Sequence, residues 1–283
     1  AYVHVPFCKR RCYYCDFPIS VVGNKGAASD HVRQGMQEYV DAVLRESDAT
    51  ARGTRGSPGE LQSIFFGGGT PSLLPVDMML SILKRLEQHF GVASGIEIRI
   101  DAAPGTFDLQ KLQAWEAIGI SRLSMGVQAF DDVLLSKCGR AHNLEDVFRA
   151  IDTIKQTSHL SKNWSLDLMM GLPFQSEEQW EATLSHAVTA SPAHISLYDL
   201  QVEEGTSFGK WYTEAMAPLP PEDSTVNMYV KAAETLEAAG YDHYEVSNYA
   251  RPGQQCRHNL VYWRNEPFLV CDAWPAESER VSN

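Results

Sequence analysis

The chain has 283 residues, enough for one large α/β barrel or two small domains with a substantial core. With 44% hydrophobic and 21% charged residues it has an ordinary globular composition, and a net charge of −12 argues against broad electrostatic binding to nucleic acid or anionic lipid. No apolar run nears the roughly 20 residues that span a bilayer, which leaves only peripheral membrane contact open, and six cysteines are too few for a disulfide scaffold.

The first residues, AYVHVPF, place no basic segment before a hydrophobic one, so no signal peptide is expected. The missing initiator Met points to residues upstream, and the address, cytoplasmic or organellar (mitochondrion or plastid), stays undecided. A strand is expected at Ala1–Val5, followed by Cys8, Cys12 and Cys15 in the spacing C-x3-C-x2-C. Cys138, Cys256 and Cys271 are scattered, and the bunching of the first three suggests a metal site. Thiolates suit zinc or an iron–sulfur cluster. Zinc would want a fourth ligand, for which His4 and Asp16 are the candidates. A cubane on three cysteines instead leaves one iron for a small chelator. Lys9, Arg10 and Arg11 lie between the ligands, and their charge is expected to lower the thiol pKa values.

Farther along, β-rich runs alternate with amphipathic ones. A helix is expected at His31–Ser47, a flexible insertion at Ala49–Gly59, and a strand at Leu61–Phe66 that runs into Gly67-Gly68-Gly69-Thr70-Pro71. The helix Val76–His89 precedes the strand Ile96–Asp101, and the helix Leu109–Ala117 precedes the strand Ser121–Met125. Gln128 and Arg140 follow, and Arg140 has the planar fork that matches a carboxylate. After the helix Leu144–Gln156, the strand Trp164–Met169 carries Asp167, a carboxylate that is costly among apolar neighbours unless it finds a partner. The helix Glu177–Ala190 and the strand His194–Leu200 complete the alternation, which predicts a parallel sheet with right-handed crossovers. Six such units suggest an α/β fold of the incomplete (β/α)6 TIM-like barrel type, although a flat doubly wound sheet shares the pattern. A break at Ala217–Pro221 separates residues 1–216 from an α/β extension, residues 217–268, with the helix Glu222–Ala239 and the run Tyr241–Val246. Within it stands His258-Asn259-Leu-Val-Tyr262-Trp263, an imidazole beside aromatic rings that could bind haem or pack as a core turn.

Tyr2-Val-His4-Val-Pro6-Phe7-Cys8, running into Cys12 and Cys15, resembles the signature of radical S-adenosylmethionine (SAM) proteins of the coproporphyrinogen-oxidase-like family. The resemblance implies a [4Fe–4S] cluster on the three cysteines and reductive cleavage of bound SAM. It places Tyr2, Tyr14, Gly68, Gly69 and Thr70 in the cofactor pocket, the last three at the methionyl amino group. It also places Gln128 and Asp167 at the ribose and Arg140 at the SAM carboxylate. Asp101 stands where the family carries Glu, so the acid is kept on a shorter stem, and Ala103 replaces a polar residue. Asp16-Phe17 directly after the cluster cysteines, and the HNxxYW residues 258–263, match the haem chaperone branch, HemW, rather than the oxidases. That branch implies haem as cargo, apo-haemoproteins as recipients and tentative haem contacts at His258, Asn259, Tyr262 and Trp263. An electron donor such as flavodoxin or ferredoxin is implied if SAM is cleaved. An oxygen-independent coproporphyrinogen III oxidase is the alternative, and a zinc-stabilised barrel a third reading. Residues 269–283 depart from the family pattern and read as a cut-short end.

Overall fold

The protein is described by a computed structural model that covers residues 1–53, 59–213 and 216–271. Strand β1 (Tyr2–Val5) leads into the cysteine loop, where β2 (Phe7–Cys8) pairs with β3 (Ser20–Val21). Helix α1 (Asp30–Gly53) is followed by β4 (Leu61–Gly68), α2 (Val76–Phe90), β5 (Val92–Ala102), α3 (Leu109–Ala117) and β6 (Arg122–Gln128). Helices α4 (Asp132–Lys137) and α5 (Leu144–Lys155) precede β7 (Trp164–Met170), α6 (Glu177–Ala190) and β8 (His194–Asp199). The remainder comprises α7 (Ser207–Trp211), α8 (Glu222–Ala238), the hairpin of β9 (Asp242–Glu245) and β10 (Asn248–Ala250), α9 (Arg257–Trp263) and β11 (Val270–Cys271).

All the strands and helices expected from the sequence form, with ends shifted by a few residues. The expected insertion at 49–59 is shorter, because α1 continues to Gly53 through the good helix formers Ala49 and Ala51. Residues 54–58 of that insertion lie outside the described residues. Seven short strands and helices escaped the pattern: β2, β3, α4, α7, β10, α9 and β11, each too brief to show a period.

Six strands, β1-β4-β5-β6-β7-β8, run parallel in that order. The hairpin continues the sheet antiparallel beyond β8, and β11 flanks β1 on the other side. Strands on both sides of the boundaries expected at 217 and 269 thus belong to one sheet. Met228, Leu236, Tyr249 and Cys271 belong to the same apolar core as Val3 and Ile64. Residues 272–283 lie outside the described residues.

Strands covered on both faces usually read as continuous apolar runs. Here they alternate: in β5, Ile98 and Ile100 join the core beneath the helices, while Glu97, Arg99 and Asp101 project to the opposite face. Arg122 and Ser124 of β6, Ser165 and Asp167 of β7, and His194 and Ser196 of β8 project likewise. The segment 254–258 seals this polar face. Gln254 O accepts from Arg122 (2.9 Å), Cys256 Sγ faces Glu97 (3.6 Å), and His258 Nδ1 meets Ser63 Oγ (2.8 Å). One short segment thus touches β4, β5 and β6 on the same face.

Candidate functional site

Above that plug, at the carboxyl ends of the parallel strands, lies a cavity of about 640 Å³. Ligand sites of α/β folds occupy this end, and the volume suits a molecule of nucleoside size. Cys8, Cys12 and Cys15 line one wall, with Tyr2, Tyr14, Gly68, Gly69, Thr70, Asp101, Gln128, Arg140 and Asp167 on the others. Every residue assigned to the cluster or to SAM thus reaches one chamber.

The cysteine loop is fastened by its backbone. Tyr13 N donates to Cys138 O (3.0 Å), Phe208 N donates to Tyr13 O (2.9 Å), and the Tyr13 ring packs within 3.1 Å of where a Gly139 Cβ would lie. The three cations expected to ionise the thiols do other work. Lys9 Nζ donates to Gly105 O (2.8 Å), Arg10 to Tyr13 Oη (3.2 Å), and Arg11 to Cys15 O and Phe17 O (3.1 and 2.9 Å). Burial pushes the Cys8 thiol up to about 11, against the Thr70 hydrogen bond and Arg140, and raises that of Cys15, against the Phe17 backbone and Arg11. The expected lowering is therefore not met. The cation at the sulfurs is Arg140, whose Nη1 donates to Cys12 Sγ (3.3 Å) and Tyr14 Oη (3.0 Å) while Nη2 donates to Gly126 O (2.7 Å).

The glycine turn approaches the cysteine loop too closely for side chains. A Cβ on Gly69 would lie 2.8 Å from the Pro6 carbonyl carbon, and one on Gly68 would lie 2.7 Å from the His4 ring. Gly69 N and Thr70 N donate to Val5 O and Phe7 O (both 2.8 Å), and Thr70 Oγ1 meets Cys8 Sγ at 3.4 Å. On the far wall Gln128 adopts a left-handed backbone (φ 72°) where β6 bulges against β7, a conformation that strains a non-glycine residue. Ser124 Oγ donates to both Asp167 oxygens (2.9 and 3.1 Å), and Arg99 chelates Asp101 through Nε (3.2 Å) and Nη2 (3.1 Å).

Among the described residues, Gln128 Oε1 and Arg140 Nε are buried polar atoms with no hydrogen-bond partner. Two such orphans on residues lining one cavity are what a polar ligand would satisfy. The zinc alternative fits poorly. Both nitrogens of His4 are taken, by Tyr2 Oη and Pro18 O (3.1 Å each).

Residues 2–187 match the profile of the Radical SAM superfamily. The chain belongs to that superfamily. Within it, the chain is 47% identical over 268 residues to a protein of Synechocystis named heme chaperone HemW, covering 95% of this chain and 63% of that one. It is 37% identical to the Escherichia coli protein of the same name, with 95% and 67% covered. It is 33% identical to a mouse protein named radical S-adenosyl methionine domain-containing protein 1, mitochondrial, with 95% and 58% covered. The chain thus spans about two thirds of the length of these relatives or less. Among solved structures, coproporphyrinogen III oxidase (HemN) of Escherichia coli superposes with a TM-score of 0.76 at 25% identity, over 93% of this chain and 57% of that one.

The chamber also contains residues that the cluster and cofactor motifs did not assign to it. Arg99, Tyr198, Phe17 and Asn259 line it, of which Phe17 and Asn259 belong to the motifs that match the haem chaperone branch. The alternation Glu97-Ile-Arg99-Ile-Asp101 carried the signal for Arg99, because a charge at every second position of a strand marks one polar face. The HNxxYW residues do not act as one group. His258 is 1% exposed with both nitrogens engaged, Nδ1 by Ser63 and Nε2 by Tyr262 Oη (3.0 Å). Asn259 lies in the chamber, whereas Tyr262 (44% exposed) and Trp263 (57%) face outward. The imidazole is thus a packing anchor as placed, with no free nitrogen for haem iron. Among the described residues, no helix is long and apolar enough to cross a membrane.

Proposed function

We propose that this chain is a radical SAM protein of the haem chaperone kind, holding a [4Fe–4S] cluster and SAM in the chamber and passing haem to apo-haemoproteins. The carrying observation is the chamber itself, where three cysteines, a glycine turn without side chains, Gln128 and Arg140 line one volume, the last two each carrying a buried polar atom without a partner. The donor set fits the group, since three thiols at a closed loop leave one cluster corner for an outside chelator. Cys8, Cys12 and Cys15 would hold the cluster. Gly68, Gly69 and Thr70 would receive the SAM amino group, with Tyr2 and Tyr14 lining the same end. Arg140 would take the SAM carboxylate, Gln128 and Asp167 the ribose, and Asp101 would stand beside the amino acid portion. A cluster held there would supply the electron for reductive cleavage of SAM, and the chain's own contribution would be to orient the cofactor and exclude water.

Haem as cargo rests on the names of the relatives and on Asp16-Phe17 after the cysteines. Phe17 is 52% exposed at the chamber rim and offers an aromatic surface to a macrocycle. Flavodoxin or ferredoxin would serve as electron donor if SAM is cleaved, and the compartment is cytoplasmic or organellar. The likeness to HemN supports a second reading, coproporphyrinogen III oxidation. Anaerobic reconstitution should yield about four irons and four sulfides per chain and an EPR signal that SAM perturbs. Haem added to that protein should then appear in an apo-cytochrome. Protoporphyrinogen formed from coproporphyrinogen III, without haem transfer, would replace the chaperone reading by the oxidase one.

A further inference from the structure

The chamber floor is a chain of contacts that begins outside the region matching the superfamily profile. Asp101 is held by Arg99, two residues earlier on the same strand face, through Nε and Nη2 (3.2 and 3.1 Å). Arg99 Cζ stands over the Phe65 ring, 4.4 Å from its centroid. Its remaining nitrogen, Nη1, faces the C-terminal segment, donating to Asn259 Oδ1 and to Cys256 Sγ, both at 3.4 Å. Asn259 can hold that place because α9 is pinned on either side. His258 N donates to Glu97 Oε1 (3.3 Å), the His258 ring joins Ser63 and Tyr262, and Arg257 Nη1 donates to Gly95 O (3.0 Å). A guanidinium fixed on three sides has one orientation, and that orientation aims the carboxylate of Asp101 into the chamber.

We infer that Asn259 is a positioning residue of the SAM site, acting through Arg99 on Asp101, so that the segment 256–259 completes the cofactor chamber and does not ligate haem. This rests on the SAM reading of the chamber, and it accounts for why an acid on a stem shorter than the family's Glu has a guanidinium behind it.

The test is a double-mutant cycle on the full chain after anaerobic reconstitution, with SAM affinity read by EPR titration and haem affinity by Soret titration. Asn259→Ala should weaken SAM about tenfold, as losing one charge-assisted hydrogen bond does, and leave haem affinity unchanged. In an Asp101→Ala background the same change should weaken SAM by less than about twofold, because the residue through which it acts is gone. Asn259→Asp keeps the shape and serves if the alanine variant does not fold. Its new carboxylate should draw Arg99 away from Asp101 and weaken SAM in the wild-type background only. Equal losses with and without Asp101, or a loss of haem affinity with SAM binding intact, would overturn the inference. A reconstituted wild type that binds no SAM would instead defeat the functional reading, and this inference with it.

Discussion

At the residue scale, chamber geometry depends on atoms that are absent as much as on those present. Gly69 brings its backbone against Pro6 and Phe7, where an added Cβ would lie 2.8 Å from backbone rather than from a side chain able to swing away. Gly69→Ala should therefore push the glycine turn off the cysteine loop, and iron counting after reconstitution should show well under half the wild-type content. Asp101 brings a pH dependence. Burial pushes its carboxyl up to about 7, Arg99 opposes the shift and Asp167 adds to it. The ionised carboxylate would accept a charge-assisted hydrogen bond from the SAM ammonium, and protonation below that value would leave only a weaker neutral acceptor. SAM affinity should rise from about pH 6 to about pH 8, and Asp101→Asn should flatten the profile.

At the element scale, the turn that delivers Arg140 is set by the start of α5. Asn143 Oδ1 accepts from Asp146 N (2.9 Å) and Asp146 Oδ2 accepts from Asn143 N (3.2 Å), a reciprocal cap three residues after Arg140. Asp132 of α4 takes Leu144 N (2.7 Å), tying the two helices on either side of the arginine. Asn143→Ala should cost about 1 kcal/mol of stability, read as a lower urea midpoint, and should weaken SAM binding because the guanidinium loses its fixed approach. The small helix α7 acts in the same way on the cysteine loop, since Phe208 packs with Tyr13 and Tyr14.

For the whole molecule, the sheet depends on a plug of polar side chains. Burial, aided by the charge of Arg99, lowers the His258 imidazole to about 3. In the unfolded chain it titrates near 6.5. A histidine whose folded pKa is depressed leaves the native state at full stability above about 6.5 and destabilises it progressively as pH falls from there towards 3. Between pH 7.5 and 5.5 the wild type should lose about 1 kcal/mol through this group. His258→Gln should be less stable at both pH values yet fall less between them, as urea unfolding would show. His194, held by Ser165 and Tyr244 (2.8 and 2.9 Å), is depressed in the same direction.

The strand–helix alternation, the cysteine spacing and the glycine turn were legible in the chain because each is a local matter of period or spacing. Cys8, Cys12 and Cys15 fall within eight residues, and the ends of α3 and α6 follow from their own capping signals. What covers the polar face of the sheet was decided only by the tertiary fold. Arg99, Glu97 and Arg122 form a buried polar face only when their strands lie side by side and the segment 254–259 closes over them. Of Lys9, Arg10 and Arg11 only Arg11 opposes the burial of a thiol, that of Cys15, for the same reason: adjacency in sequence puts a charge near a thiol, but direction and burial decide which one it meets. Hydrogen-bond partners separated by 100 residues or more carry no periodic trace, so the division of His258 from Asn259 waited on three dimensions.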